Sequence, residues 1–325
     1  MQRSKFFSPK KISVLVSGLI LLVLYSTIDF VAFLNILFDV NASLFFFGIF
    51  LVIPITLLVA FRLNWLSSEN SKIGYIESLK LVLAASVMNL VLPAKMGDIF
   101  KSSFMTINKN NEYENNVALV MFEKICDLLA LLLWCFFGLL VFEIDYSTFI
   151  LLFIIISFFI VFCSLSLLSE TFSIFIFKLI WVLIPQKYEN RIRKFQDAWL
   201  CMNKIVLVEK NKFVSIFIFS VLLWLCHLFQ IWIFILSLGV MGVTFLNNLA
   251  ITPVAIFSGL LPLTFAGIGV RDLAFIYFYA PYFSSSIGAA LGTLATLRYI
   301  LPALFGIPFF IRYLRLKDVS IDSKG

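Results

Sequence analysis

Apolar residues fill long stretches of this chain, and polar ones return only in short intervals between them. Six stretches, 12–37, 44–60, 117–142, 147–168, 213–238 and 287–311, lie near or above the roughly 20 residues that a helix needs to cross the hydrocarbon of a bilayer. The pattern predicts six full membrane spans. Two other apolar runs differ from these. The run at 79–92 stops at Pro93 before it has length enough to cross. The run at 172–184 holds Lys178 and ends before Pro185, which suits a helix lying in the interface. Beyond it, residues 186–211 mix polar positions with Phe195, Trp199 and Leu200, the pattern of an amphipathic surface helix.

Two segments fit no ordinary membrane helix. At 260–272, LLPLTFAGIGVRD, Pro262, Gly267 and Gly269 break the helix, and Arg271 and Asp272 follow at once. At 90–101, LVLPAKMGDIFK, the design recurs with Pro93, Lys95, Gly97, Asp98 and Lys101. Irregular backbone beside charge is tolerated at membrane depth only inside protein or along a wet cavity, because lipid cannot satisfy its polar groups. Two broken segments at corresponding places are a pointer to a transporter-like binding site.

Charge then orients the chain. Arg3, Lys5, Lys10 and Lys11 precede the first run, which lacks a small-residue cleavage site and reads as a retained span with a cytoplasmic N-terminus. Arg62, Lys72 and Lys80 mark the end of the second run as cytoplasmic. Residues 170–212 hold eight Lys or Arg, and Arg312, Arg315 and Lys317 follow the last span, so the C-terminus is also read as cytoplasmic. The connections at 143–146 and 281–286 contain no basic residue and should face outward. This distribution predicts that 79–107 enters and leaves from the inside as a re-entrant hairpin, and that the second broken segment does so from the outside. The expected fold is an all-α polytopic membrane protein, one integral domain over 1–325, with inverted halves at about 1–146 and 147–325 and a basic interfacial region at about 170–212.

Composition agrees: 62% apolar and 13% charged residues exclude a soluble globular protein. A net charge of +7 would suggest nucleic acid in a soluble chain, but here the basic residues fall in the connections, where they set topology, and no nucleic-acid partner is expected. Cys126, Cys135, Cys163, Cys201 and Cys226 are scattered without metal-ligand spacing and read as small hydrophobes. No metal or cofactor is expected. His227, the only histidine, sits within an apolar run, where a helix–helix hydrogen bond is the plainer reading and a proton relay the sharper one.

The span after each broken segment carries charge: Glu123, Lys124 and Asp127 in the first half, Arg298 in the second. Each such charge costs roughly 2.5–3.5 kcal/mol on insertion scales, so a cluster of them points to function. The functional reading is a cleft between the hairpins. There Lys95, Lys101, Arg271 and Arg298, with the turns at Gly97, Gly267 and Gly269, would bind an anionic group such as phosphate. Asp98, Glu123, Lys124, Asp127 and Asp272 would pair these charges or couple an ion. The competing reading is that Asp98 with Lys101, Arg271 with Asp272, and Glu123 or Asp127 with Arg298 only fasten helices together. Glu123 and Asp127 share a helix face, with Lys124 roughly 100 degrees away.

This set, Pro93, Lys95, Gly97, Asp98 and Lys101, then Glu123, Lys124 and Asp127, then Pro262, Gly267, Gly269, Arg271 and Asp272, then Arg298, resembles the flippase-like domain family. That family is the transmembrane domain of lysylphosphatidylglycerol synthases, which also occurs as stand-alone proteins. The resemblance covers nearly the whole chain and is most specific at 267–272. Family members usually carry Arg where this chain has Lys95, Lys101 and Lys124, and Glu where it has Asp98 and Asp272; charge sign is kept, whereas the bidentate grip of arginine is not. The resemblance implies movement of an anionic or head-group-modified lipid, or a lipid-linked precursor, between leaflets of the cell membrane. Aminoacyl transfer is not expected, because 325 residues leave no room for a soluble synthase domain. Two other classes stay open. One is a membrane lipid or glycosyl transferase, for which Glu143 and Asp145 are the local acidic candidates. The other is an accessory subunit whose basic region at 187–212 holds a cytoplasmic synthase or glycosyltransferase, and a homo-oligomer is open in either case.

Overall fold

The structure is a computed structural model that describes residues 29–67, 73–92, 96–108, 113–141, 146–183, 189–260 and 267–322. Most of the first predicted span, together with Pro93, Lys95, Glu143, Asp145 and Pro262, lies outside the described residues. The described chain is all-helical. Helix α1 (Phe30–Phe38) is followed by α2 (Ala42–Phe50) and α3 (Val52–Leu66), which turn only at Leu51 and together make one apolar rod. Asp29 accepts from the Ala32 amide at 3.0 Å and Asn41 from the Leu44 amide at 3.1 Å, so a side-chain oxygen caps the start of α1 and of α2.

Five helical stretches are long and apolar enough to cross a membrane: Ala42–Leu66, Asn115–Val141, Ser147–Leu168, Lys210–Ser237 and Ser285–Leu316. They lie in α2–α3, α6 (Tyr113–Val141), α7 (Tyr146–Leu168), α10 (Lys210–Ser237) and α13 (Ser285–Asp322), and correspond to five of the six predicted spans. Between α7 and α10 lie α8 (Glu170–Leu183) and α9 (Glu189–Val208), at the positions expected for the interfacial pair. Two α9 side chains fasten this pair to the end of α7. Trp199 Nε1 donates to the Ser166 carbonyl at 3.1 Å, and Asn203 Nδ2 donates to the carbonyls of Ser166 and Leu167 at 2.9 and 2.7 Å. All five cysteines are free, and Cys126, Cys135 and Cys163 are buried among apolar side chains.

The first broken segment forms α4 (Tyr75–Val91), a 3-10 turn η1 (Met96–Asp98) and α5 (Ile99–Asn108); the second forms α11 (Phe245–Leu260) and α12 (Val270–Phe278). Glycine explains how the chain doubles back at each. A Cβ on Gly97 would lie 2.4 Å from the Asn89 amide nitrogen of α4. Gly267, with φ 74°, would place one 2.4 Å from the Gly259 carbonyl of α11. The helices that follow these segments exchange partners: α6 packs on α5 and on α11, while α13 packs on α12 and, most extensively, on α4. Each therefore touches both broken segments.

The α13–α4 seam depends on Gly306, where a Cβ would lie 1.9 Å from the Leu83 carbonyl. Helix backbones approach this closely only across small residues. Gly306→Ala is expected to force the two helices apart at a cost of roughly 1–3 kcal/mol, read as a lower melting temperature of the purified protein in detergent.

Candidate functional site

Six charged side chains from α3, η1, α5 and α6 close into a ring in which cation and carboxylate alternate. Arg62 of α3 binds Glu123 at 2.8 Å; Glu123 binds Lys101 at 3.0 Å; Lys101 binds Asp98 at 3.1 Å. Asp98 binds Lys124, Lys124 lies 3.6 Å from Asp127, and Asp127 returns to Arg62. Each carboxylate touches two cations and each cation two carboxylates, so three positive and three negative charges sum to zero. Arg62 also donates to Ser220 Oγ of α10 at 2.8 Å. The ring ties η1 and α5 to α6, and Arg62 ties that assembly to α3 and α10. Burial is near complete at Arg62, Lys101 and Glu123, whereas the Lys124 side chain is 37% exposed and that of Asp127 19%. Withdrawn from water, such charges are tolerable only because every one is paired.

A second cluster holds the tip of the other broken segment. Arg271 Nη2 donates to Asp272 Oδ1 at 2.7 Å, to the Gly292 carbonyl at 2.9 Å and to Thr296 Oγ1 at 2.7 Å. Asp272 Oδ2 accepts from the Gly269 amide at 3.1 Å, which closes the turn at the start of α12. Asp272 therefore neutralises Arg271 while both pin the turn to α13.

Arg298 belongs to neither cluster. It is 5% exposed, and among the described residues no carboxylate lies within ion-pair distance of it. Nη2 donates to the Tyr299 hydroxyl, whereas Nε and Nη1 are buried without a partner among the described residues. The guanidinium sits 4.7 Å from the Tyr299 ring centroid and that of Arg271 lies 5.9 Å from the same ring, a modest compensation for an unpaired charge. Arg298 lines a cavity of about 170 Å³ together with Arg62, Asp98, Lys101, Lys124 and Asp127 of the ring. Asn89, Trp224, His227 and Gln230 add further polar groups to its wall. Counting Glu123 behind the wall, the ring is neutral, and among the described residues Arg298 is the charge beside the cavity that the ring leaves unbalanced.

Of the charged site residues named from sequence and described by the structure, all but Arg298 are paired with one another or with Arg62. Lys101 and Arg271, offered as cations for an anionic group, are both given to carboxylates. Lys95 lies outside the described residues. Gly97, Gly267 and Gly269 sit at the tips, where two of them are required by the doubling back of the chain. The pairs Asp98–Lys101 and Arg271–Asp272 form as the fastening reading expected. The third pair, Glu123 or Asp127 with Arg298, does not form: Arg62 takes both carboxylates, because it reaches them as a bidentate fork from α3. Lys124, despite its angle from that face, bends back to Asp127 through its flexible stem.

Arg62 is the residue that the sequence reading misplaced, as a marker of the end of a span. The signal was present, since Leu63, Trp65 and Leu66 continue the apolar run past it and the helix runs on to Leu66. Ser220, Thr296 and Tyr299 carried no such signal, being ordinary polar residues on apolar helices. His227 lines the cavity with its ring 5.4 Å from that of Trp224.

No curated protein matches this chain. A family model described as the lysylphosphatidylglycerol synthase TM region matches residues 11–306. That match takes in both broken segments, all six members of the ion ring and Arg298, and the chain belongs to the family of the lysylphosphatidylglycerol synthase TM region.

Proposed function

We propose that this protein moves a lipid with an anionic head group between the leaflets of the cell membrane, with the head-group phosphate seated at Arg298. One observation carries this reading: Arg298, a buried guanidinium with two donor nitrogens unpartnered and no carboxylate partner among the described residues, lines a cavity beside an ion ring that is already neutral. A phosphodiester brings one negative charge and several acceptor oxygens, which is what such a seat lacks. The exchange of packing partners between α6 and α13 supports the accompanying architecture, in which the two broken segments are opposed re-entrant hairpins of an inverted repeat meeting near the midplane. In this reading both termini are cytoplasmic. Lys101 and Arg271 position the walls, Lys95 and the hairpin turns add to the anion's surroundings, and Glu123 and Asp127 hold cations in place. A lipid-linked precursor with a phosphate at its head would use the same seat, and a cytoplasmic synthase supplying it fits the basic region at 170–212.

The test is transbilayer movement of fluorescent phosphatidylglycerol and phosphatidylcholine in liposomes containing the purified protein. Movement of the anionic lipid is expected to exceed that of the neutral one by about tenfold, the equivalent of one favourable charge contact. Equal rates for the two lipids, matching protein-free liposomes, would overturn the proposal.

A further inference from the structure

We infer that Arg62 is a positioning residue for the anion seat: it touches no ligand, and it keeps Arg298 available by satisfying Glu123 and Asp127. This inference rests on Arg298 being the seat. Charge balance beside a single cavity sets this role. Arg62 and Arg298 line the same cavity, yet Arg62 meets two carboxylates and Arg298 none. Arg62 supplies the third cation of the ring; without it, Lys101 and Lys124 face Asp98, Glu123 and Asp127, and the ring carries a charge of −1. That charge would cancel Arg298. Asp127, the most exposed of the three carboxylates, would be the one released toward the cavity. Between charges held away from bulk water such a change alters affinity strongly even without contact.

Three variants separate positioning from contact and from scaffolding. Arg62→Gln leaves the ring at −1 and is expected to weaken anion binding by roughly tenfold or more. Arg62→Gln with Asp127→Asn restores a neutral ring of Lys101, Lys124, Asp98 and Glu123, and is expected to recover most of the affinity. Asp127→Asn alone leaves the ring at +1 and is expected to bind the anion more tightly than the unaltered protein, an effect that loss of structure cannot produce. This last variant keeps the test alive where Arg62→Gln fails to fold.

The probe is dihexanoyl phosphatidylglycerol, titrated into the detergent-solubilised full chain with binding followed by isothermal titration calorimetry, on protein that elutes as one symmetric peak. Tighter binding by Asp127→Asn together with rescue in the double variant supports the inference. Weak binding in both Arg62 variants would mean that Arg62 grips the anion itself, through its unpartnered Nε, and would overturn it. Unchanged or weaker binding by Asp127→Asn would overturn it as well. If the unaltered protein does not bind the probe, the seat at Arg298 falls and this inference falls with it, an outcome distinct from the others because no variant is needed to see it.

Discussion

Arg298→Gln is expected to abolish movement of anionic lipid while raising the melting temperature of the purified protein. The two effects have one cause. A guanidinium that is 5% exposed, with Nε and Nη1 unpartnered and no carboxylate among the described residues to face it, is a destabilising element of the fold. Each buried donor left unsatisfied costs roughly 1–3 kcal/mol, and removing the charge returns at least part of that. Binding residues that are costly to the fold are a familiar consequence of selection for function over stability. The same removal leaves only the neutral ring beside the cavity, so an anionic head group finds no unbalanced positive charge there. The measurement is a paired one, thermal unfolding in detergent and lipid movement in liposomes. A variant that is less stable and still active would show that Arg298 is a structural residue.

Arg271→Ala should behave in the opposite way. Here the arginine is matched: it binds Asp272 through two nitrogens, at 3.0 and 2.7 Å, and reaches α13 through Gly292 and Thr296. Truncation leaves Asp272 buried with the Gly269 amide as its partner. Breaking a buried pair from one side costs about 3–5 kcal/mol, because the surviving charge is uncompensated. We expect a marked fall in melting temperature, and loss of lipid movement because the turn before α12 loses its hold on α13. Truncating Asp272 as well should recover a large part of the stability without restoring movement. If the double variant is no more stable than Arg271→Ala, the pair does not hold the turn in the way its geometry suggests. Arg298→Gln and Arg271→Ala thus distinguish two arginines that sequence alone treated as equivalent cations of one cleft.

What was legible in the sequence was whatever depends on local composition. A run of twenty or so apolar residues makes a membrane helix wherever it falls, so the spans beginning near Ala42, Asn115, Ser147, Lys210 and Ser285 were readable from the pattern. Proline and glycine break helices locally, so the two interruptions were readable too, as were the two helices α8 and α9 on either side of Pro185. Neighbouring residues that can reach each other by helix geometry were partly readable: Asp98 with Lys101 three residues on, and Arg271 beside Asp272.

Membrane class, helices, their interruptions and the presence of intramembrane charge thus follow from local composition. Only the tertiary structure decided which charge answers which. Arg62 stands 61 residues from Glu123 in the chain, and nothing local says that its side chain reaches from α3 to α6. Charge pairing is satisfied through space at a few ångströms, so the partner of a buried ion is chosen by packing and not by spacing. Once Arg62 had closed the ring, every other cation in it was matched, and the one left over was Arg298.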